Sequence, residues 1–534
     1  MNVQETLVSA LSRAASAVRD ATREFTLPAV RLHVPPSSDQ GDLSTDLPAY
    51  LARAAARPVA EVTQLFLTHL DLPAGLSIAA TANPGFVGFT LTDALWEELL
   101  RAILTAGSGY GAAQDSTRQR VLLEFVSAQP TGDLTLTHGR AAVQGEAIAR
   151  LLTLQGHQVS REFYVNDADI HVERFVRSVE AVLAARRGER SRRPVDGYEG
   201  PLVEWAADAA ITSNGAGTNG GGHDSSLRDV VTAAIVGRQR ALLQSLGIQF
   251  EAWVSERTVV GEGLFEEALH RLRDGGHVRE QDGAVWLATP TLGDSQDRAL
   301  IRSNGQPTYL AGDLAYHFGK RRRGYDLLLD LWAADHAPYA QRTRSGMRAL
   351  GVPEEALEIR VFQPVILKRD GVALDTGNRA GNIPLLEDVL EEIGSDAFRY
   401  QCLATPSNTL VELDLDAAPE ATGLSALASI LAARTRAADA GAHGEREVDH
   451  PAQTPGARAL LARLAAWPAD AAQAAREREP HRVVRYLSGL AHAYTVIEAE
   501  RRRADSAAPC PRGLDAATAA VMDAGLHVLG IAGR

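Results

Sequence analysis

The residues best placed to do chemistry follow a short apolar strand. VLLEFVS at 121–127 leads into AQPTGDLTLTHGR and then the helical pattern AAVQGEAIARLLTLQGH, with REFYV beyond it as a second strand. A helix that starts past the carboxyl end of a parallel strand offers unsatisfied N–H groups to an anion, so the loop 127–140 is the first place to seek a phosphate or nucleotide. The same strand–turn–helix order occurs in every α/β protein, so it also reads as an ordinary connection. Two further stretches have suggestive composition without the spacing. RRGERSRRPVDGYEG carries five arginines between 186 and 193, which suit an anionic partner or a solvated face. GAGTNGGGHDSS lacks the GxGxxG register and a terminal Lys, and reads as a flexible loop.

The elements that must hold these residues come from patterning. Residues 1 to about 115 combine an amphipathic start, a helical stretch LPAYLARAAARPVAEVTQLFLTHL and an alternating GFVGFTL strand, followed by the Thr-capped helix TDALWEELL. This is an α+β module, and AGSGYGAAQDSTRQR after it suits a boundary. Strands and helices then alternate to about 404, as a parallel sheet requires. The tail from 405 is rich in Ala, Leu, Arg and Glu and reads as an all-helical bundle.

At 534 residues the chain is long enough for three or four domains. The apolar runs are all shorter than the 18 or so residues of a spanning helix, and LLLDLWAA at 327–334 contains an acid, so a membrane protein is excluded. Cys402 and Cys510, far apart, make neither a disulfide framework nor a zinc ribbon and suit a reducing, cytoplasmic compartment with no metal site. A net charge of -13 disfavours a polyanionic partner unless basic residues are segregated onto one face.

Seven motifs in order make the chain resemble the arginyl-tRNA synthetases, a class I family. They are Gly41-Asp42 with Thr45-Asp46; NPGFVGF at 83–89; EFVSAQPTGDLTLTHGR at 124–140; YVNDADI at 164–170; PTYLAGDLAYHFGK at 307–320; AADH at 333–336; and GSDAFRY at 394–400. The resemblance implies an α/β fold: a Rossmann-like parallel-sheet catalytic domain at 116–404 with insertions, an α+β tRNA-contacting module at 1–115 and a helical anticodon-binding-like bundle at 405–534. It also implies ATP-dependent activation of arginine and transfer to tRNA(Arg), with Mg2+ accompanying ATP, by a monomer. A guanidinium is a planar fork of donors that needs fixed carboxylates. Glu124 beyond its strand and Asp313 at the start of its helix suit it, with Ser127, Tyr309 and Tyr316 completing the arginine pocket. Asp313 at that position also reads as a helix cap or first-turn acid. For ATP the resemblance points to Thr135, Thr137, His138, Asp335, His336 and Asn382, and for catalysis to His138, Lys368 and Arg379. Asp335 and His336 also suit each other as a strand-end pair.

The chain departs from the family where ATP binds. The two histidines and the glycine at the helix start become Thr135, Thr137 and His138, so one histidine remains and a β-branched residue stands where the family has none. Gln129 and Asp133 replace an Asn and a Pro, and an acid here opposes a polyphosphate. The lysine-rich signature loop becomes DTGNR at 375–379, which retains Arg379 and makes Lys368 and Arg369 the candidate replacements. These departures carry an alternative: a paralogue that keeps the fold and arginine or tRNA binding without normal ligase activity, in a specialised or regulatory role. In the tail, Trp467 and Tyr486 read as core aromatics before base-stacking ones, whereas KRRRG at 320–324 and the arginines at 186–193 are placed to face tRNA.

Overall fold

Apolar runs become strands in the computed structural model, which describes residues 3–28, 30, 32–35, 40–79, 84–113, 118–189, 194–216, 226–261, 263–289, 292–374, 385–418, 423–443, 454–503 and 513–533. The chain divides into two units, one formed by Ser116–Ala418 and the other by Met1–Asp115 together with Pro419–Arg534.

In the N-terminal part of the two-ended unit, helix α1 (Val3–Thr22), strand β1 (Leu43–Thr45), helices α2 (Leu47–Ala55) and α3 (Val59–Thr68), strands β2 (Leu76–Ile78) and β3 (Val87–Leu91) and helix α4 (Asp93–Ala106) follow one another. The strands form an antiparallel sheet in the order β1-β3-β2. Gly41 has φ +97°, and a Cβ there would lie 2.7 Å from the Phe89 carbonyl oxygen, so only glycine lets Asp42 reach the Leu91 amide at 2.8 Å. Thr92 takes the N-cap position of α4, but its side chain makes no capping bond.

The central unit opens with β4 (Arg120–Glu124), α5 (Leu136–Leu154), β5 (Gln158–Val165), the helices α6 (Ile170–Arg186), α7 (Pro201–Ala216) and α8 (Leu227–Ser245), and β6 (Ala252–Ser255). It continues through α9 (Glu256–Gly261), α10 (Leu264–Asp274), the strands β7 (Val278–Gln281), β8 (Ala284–Leu287) and β9 (Arg298–Ile301), α11 (Tyr309–Arg322), β10 (Leu327–Ala333), α12 (Ala337–Ala349) and β11 (Leu357–Phe362). It closes with β12 (Val365–Arg369), β13 (Val372–Ala373), α13 (Leu386–Ile393), α14 (Ser395–Ala404) and β14 (Val411–Asp414).

Five strands make one parallel sheet in the order β11-β10-β4-β5-β6. Its centre is fully buried, with Leu122, Leu123, Leu328 and Leu329 at 1% exposure or less; strands covered on both faces read as continuous apolar runs for this reason. From β4 the chain advances through β5 and β6 on one side, while β10 and β11 occupy the other. The strand order therefore reverses between β4 and β10, the place where open α/β sheets bind ligands. Segment 405–418, which the composition change assigns to the tail, stays with the central unit because β14 pairs in parallel with β12.

The tail is helical: α15 (Leu424–His443), α16 (Pro455–Glu477), α17 (His481–Arg503) and α18 (Leu514–Leu529). Trp467 is fully buried and Tyr486 nearly so, with ring centroids 5.1 Å apart, as packing residues should be. No described helix is long and apolar enough to cross a membrane.

Candidate active site

Beyond β4 the backbone makes an unusual bend. Val126 and Ser127 both take positive φ, 72° and 45°, which is strained for non-glycine residues and worst for a β-branched one. The bend turns the Ser127 hydroxyl onto Glu124 at 2.8 Å, and the Tyr164 amide donates to the same hydroxyl oxygen at 3.1 Å. Ser127 thus pins the ends of β4 and β5 together.

The other oxygen of Glu124 is taken by Lys320, which also donates to Asp330 Oδ1 at 2.8 Å. His317, one turn earlier on α11, places Nε2 2.7 Å from Asp330 Oδ2 and Nδ1 2.7 Å from the Asp313 carbonyl. Both ring nitrogens face oxygens, so both donate and the ring is an imidazolium. Burial and Lys320 oppose that charge, but Asp330 and Asp313 together outweigh them and His317's pKa is raised. Burial also pushes the Glu124 carboxyl up while Lys320 pulls it down. The result is a buried quartet of two acids and two cations. Glu124, His317 and Asp330 bring ligand atoms within 4.8 Å of one another, yet Lys320 already supplies the cation they would share.

Tyr316 is also committed to the interior. Its hydroxyl donates to Glu162 at 2.7 Å, its ring lies 4.3 Å from that of Tyr164, and Lys320 sits 4.3 Å from its centroid. Asp313 differs from all of these. Thr308 caps α11 and its hydroxyl receives the Ala311 amide, which leaves Asp313 in the second turn with no capping duty. Among the described residues its carboxylate has no hydrogen-bond partner, and burial raises its pKa. Beside it lies a cavity of about 310 Å³ lined by Tyr164, Glu256, Phe265, Arg302, Tyr309 and Gly312. Tyr309 is 69% exposed, and the nearby charge of Asp169 raises its pKa. Burial raises Glu256 to about 7, with Asp167, Asp169 and Asp313 adding to the effect. The cavity is lined by Glu256 and Glu266 together with Arg302, and Asp313 follows Gly312 of its wall; burial raises the Asp313 pKa against the pull of His317 and Lys320.

The start of α5 holds the second group. The Thr135 amide donates to His138 Nδ1 at 3.1 Å, and the Thr135 hydroxyl is 2.9 Å from the same nitrogen. Nδ1 is thus an acceptor, the ring proton sits on Nε2, and burial lowers the pKa to about 4 against the pull of Asp335. His138 is a neutral donor at physiological pH. Thr137 is half-buried beside it. Asp335 and His336, in the turn that follows β10, lie 3.8 Å apart and are both well exposed. Asp133 is answered by Arg238, whose Nε lies 2.5 Å from Oδ1.

Other expected site residues are dispersed. Lys368 on β12 pairs with Glu412 at 2.8 Å, and Arg369 pairs with Glu392 and Asp416. Arg379 and Asn382, with Asp375, lie outside the described residues. Of KRRRG, Lys320 is buried and cannot face a polyanion, whereas Arg321 bonds the Tyr325 carbonyl and the exposed Arg322 and Arg323 pair with Glu267 and Glu162. Arg186 and Arg187 likewise bond Glu204, Asp208 and Glu189, while Arg190, Arg192 and Arg193 fall outside the described residues. Sequence reasoning missed Lys320, His317 and Asp330 as one network. The signal was an acid inside the apolar strand LLLDLWA and a His and a Lys three apart on one helix face.

Two family models match the chain: the arginyl tRNA synthetase N terminal domain over residues 1–91 and the DALR anticodon binding domain over 425–533. The arginine--tRNA ligase of Listeria welshimeri is 35% identical over 509 residues, covering 92% of each chain. That of Frankia alni is 34% identical over 561 residues, covering 99% of this chain and 98% of its own. The Thermus thermophilus arginyl-tRNA synthetase structure shares the fold, with a TM-score of 0.74, 19% identity and 99% coverage of both chains.

Proposed function

Because the chain belongs to the arginyl-tRNA synthetase family, we propose that it is an arginine-tRNA ligase that activates arginine with ATP and passes the arginyl group to tRNA(Arg). In the first step the arginine carboxylate attacks the α-phosphate of ATP and pyrophosphate leaves. In the second, a ribose hydroxyl of the tRNA end attacks the arginyl carbonyl and AMP leaves.

The observation that carries this reading is the carboxylate of Asp313, which has no hydrogen-bond partner among the described residues and neighbours a cavity lined by Glu256, Glu266 and Arg302. A guanidinium there would give Asp313 the hydrogen-bond donors that the described residues do not supply, with Tyr309 as a covering ring. Glu124, Ser127 and Tyr316 act one step back: Lys320 and Glu162 hold them, and they shape the wall that the substrate meets. At the nucleotide end, the neutral Nε2–H of His138 and the free N–H groups of the α5 N-terminus face ATP, next to Thr135 and Thr137. Asp335 and His336 serve the nucleoside, and Lys368 leaves Glu412 to reach the phosphates, with Arg379 and Asn382 completing the set. Mg2+ accompanies ATP. Residues 1–115 contact tRNA and the helical tail reads the anticodon side, in a cytoplasmic monomer.

The test is arginine-dependent exchange of pyrophosphate into ATP in the presence of tRNA(Arg), together with charging of that tRNA. Wild-type protein should perform both. A clean preparation that binds arginine but neither exchanges pyrophosphate nor charges tRNA overturns the proposal.

A further inference from the structure

We propose that Arg238, on α8, is a positioning residue for the nucleotide end of the site, because it latches the start of α5 to the start of α13. The inference rests on the ligase reading above. Arg238 donates from two nitrogens of its guanidinium to two different segments: Nε meets Asp133 Oδ1 at 2.5 Å and Nη2 meets Glu387 Oε2 at 2.9 Å. Directly beside these, the Leu386 amide donates to the Leu134 carbonyl at 3.1 Å. Residues 133–134 are thus joined to 386–387 by an ionic bridge and a backbone bond. The next residue of α8, Gln239, donates to the carbonyls of Gln129 and Gly132 at 3.1 and 2.9 Å, so α8 braces the whole turn. The ring of Trp205 lies 5.6 Å from the Arg238 guanidinium carbon and steadies it.

The braced turn ends at Thr135, whose amide and hydroxyl fix His138. Without Arg238, Asp133 and Glu387 would meet as two carboxylates and push the segments apart. Any shift of 133–134 then passes through Thr135 to the His138 Nε2–H. Asp133 is therefore a fixed post of the latch. If it were merely an unfavourable charge beside ATP, its removal would help ATP bind.

That difference makes the test. ATP affinity of the full chain is measured by titration calorimetry, and KM for ATP and for arginine by tRNA-dependent pyrophosphate exchange. Arg238→Met and Asp133→Asn should each weaken ATP about tenfold while KM for arginine moves less than about twofold. The double variant should be no worse than Arg238→Met, and Arg238→Lys should recover only part of the loss, since a lysine cannot span both acids. Amide exchange at residues 134–138 should quicken about tenfold in Arg238→Met even without ATP. Tighter ATP binding by Asp133→Asn, unchanged exchange at 134–138, or an equal rise in both KM values overturns the latch. If wild type fails to charge tRNA, the ligase reading fails, and the exchange measurement still decides on Arg238.

Discussion

Glu124, at the end of the central strand β4, and Asp313, on α11, are carboxylates that both feel Lys320, and Lys320 decides which of them remains for a ligand. Glu124 receives the Lys320 ammonium directly; Asp313 feels Lys320 and His317 but receives no hydrogen bond from a described residue. Asp313→Asn should raise KM for arginine about a hundredfold, the scale for removing one partner of a shielded charge pair, with KM for ATP nearly unchanged. Pyrophosphate exchange at varied arginine checks this. Lys320→Met leaves Glu124 and Asp330 buried without their cation and should cost about 3–5 kcal/mol of stability in urea unfolding. Glu256 gives a pH signature. Its folded pKa, about 7, is above the ordinary 4.5, so the folded state retains a proton that the unfolded state releases, and stability falls as pH rises from 4.5 to 7. Glu256→Gln should remove that slope and gain about 1 kcal/mol at pH 8 after allowance for solvent screening, as read from melting curves. The residue types of the site were legible in PTYLAGDLAYHFGK, but their division of labour was not. Asp313 reads as a cap until Thr308 is seen to take that position, because capping depends on the φ and ψ of a single residue.

Helix α5 shows what an element adds to its residues. Its N-cap threonine satisfies a helix end and at the same time sets a tautomer, since the atoms that cap are those that hold His138 Nδ1. A depressed histidine pKa, about 4, means that His138 stays neutral above pH 5 in the folded protein. Its contribution to stability is present above 6.5 and lost as pH falls toward 4. Thr135→Ala should cost about 1 kcal/mol of stability, read from melting curves. Elements of this kind were readable where they were long or strongly apolar: the buried strands β4 and β10, and α5 itself. Strand β14 was not, because VELD is four residues with two acids, and its identity comes from pairing with β12.

On the scale of the whole molecule, both ends of the chain build one unit. The Trp467 indole donates to the Tyr110 carbonyl at 2.8 Å, and the Arg458 guanidinium reaches the Leu91 carbonyl at 3.1 Å. Gly111, at φ +96°, leaves room for that indole: a Cβ would stand 2.5 Å from Nε1. Gly111→Ala should therefore destabilise this unit by about 1–3 kcal/mol, visible in tryptophan fluorescence during denaturation. Such pairing was out of reach from the sequence, since no local pattern in 1–115 announces a partner more than 300 residues away. It also gives synthesis an order. The first 115 residues leave the ribosome with half a core, and at roughly 5–20 residues per second the tail's half begins to arrive about 15–60 s later. The central unit is complete in the interval. The N-terminal segment must stay soluble through that wait, which makes it the part of the newborn chain with most to gain from a chaperone.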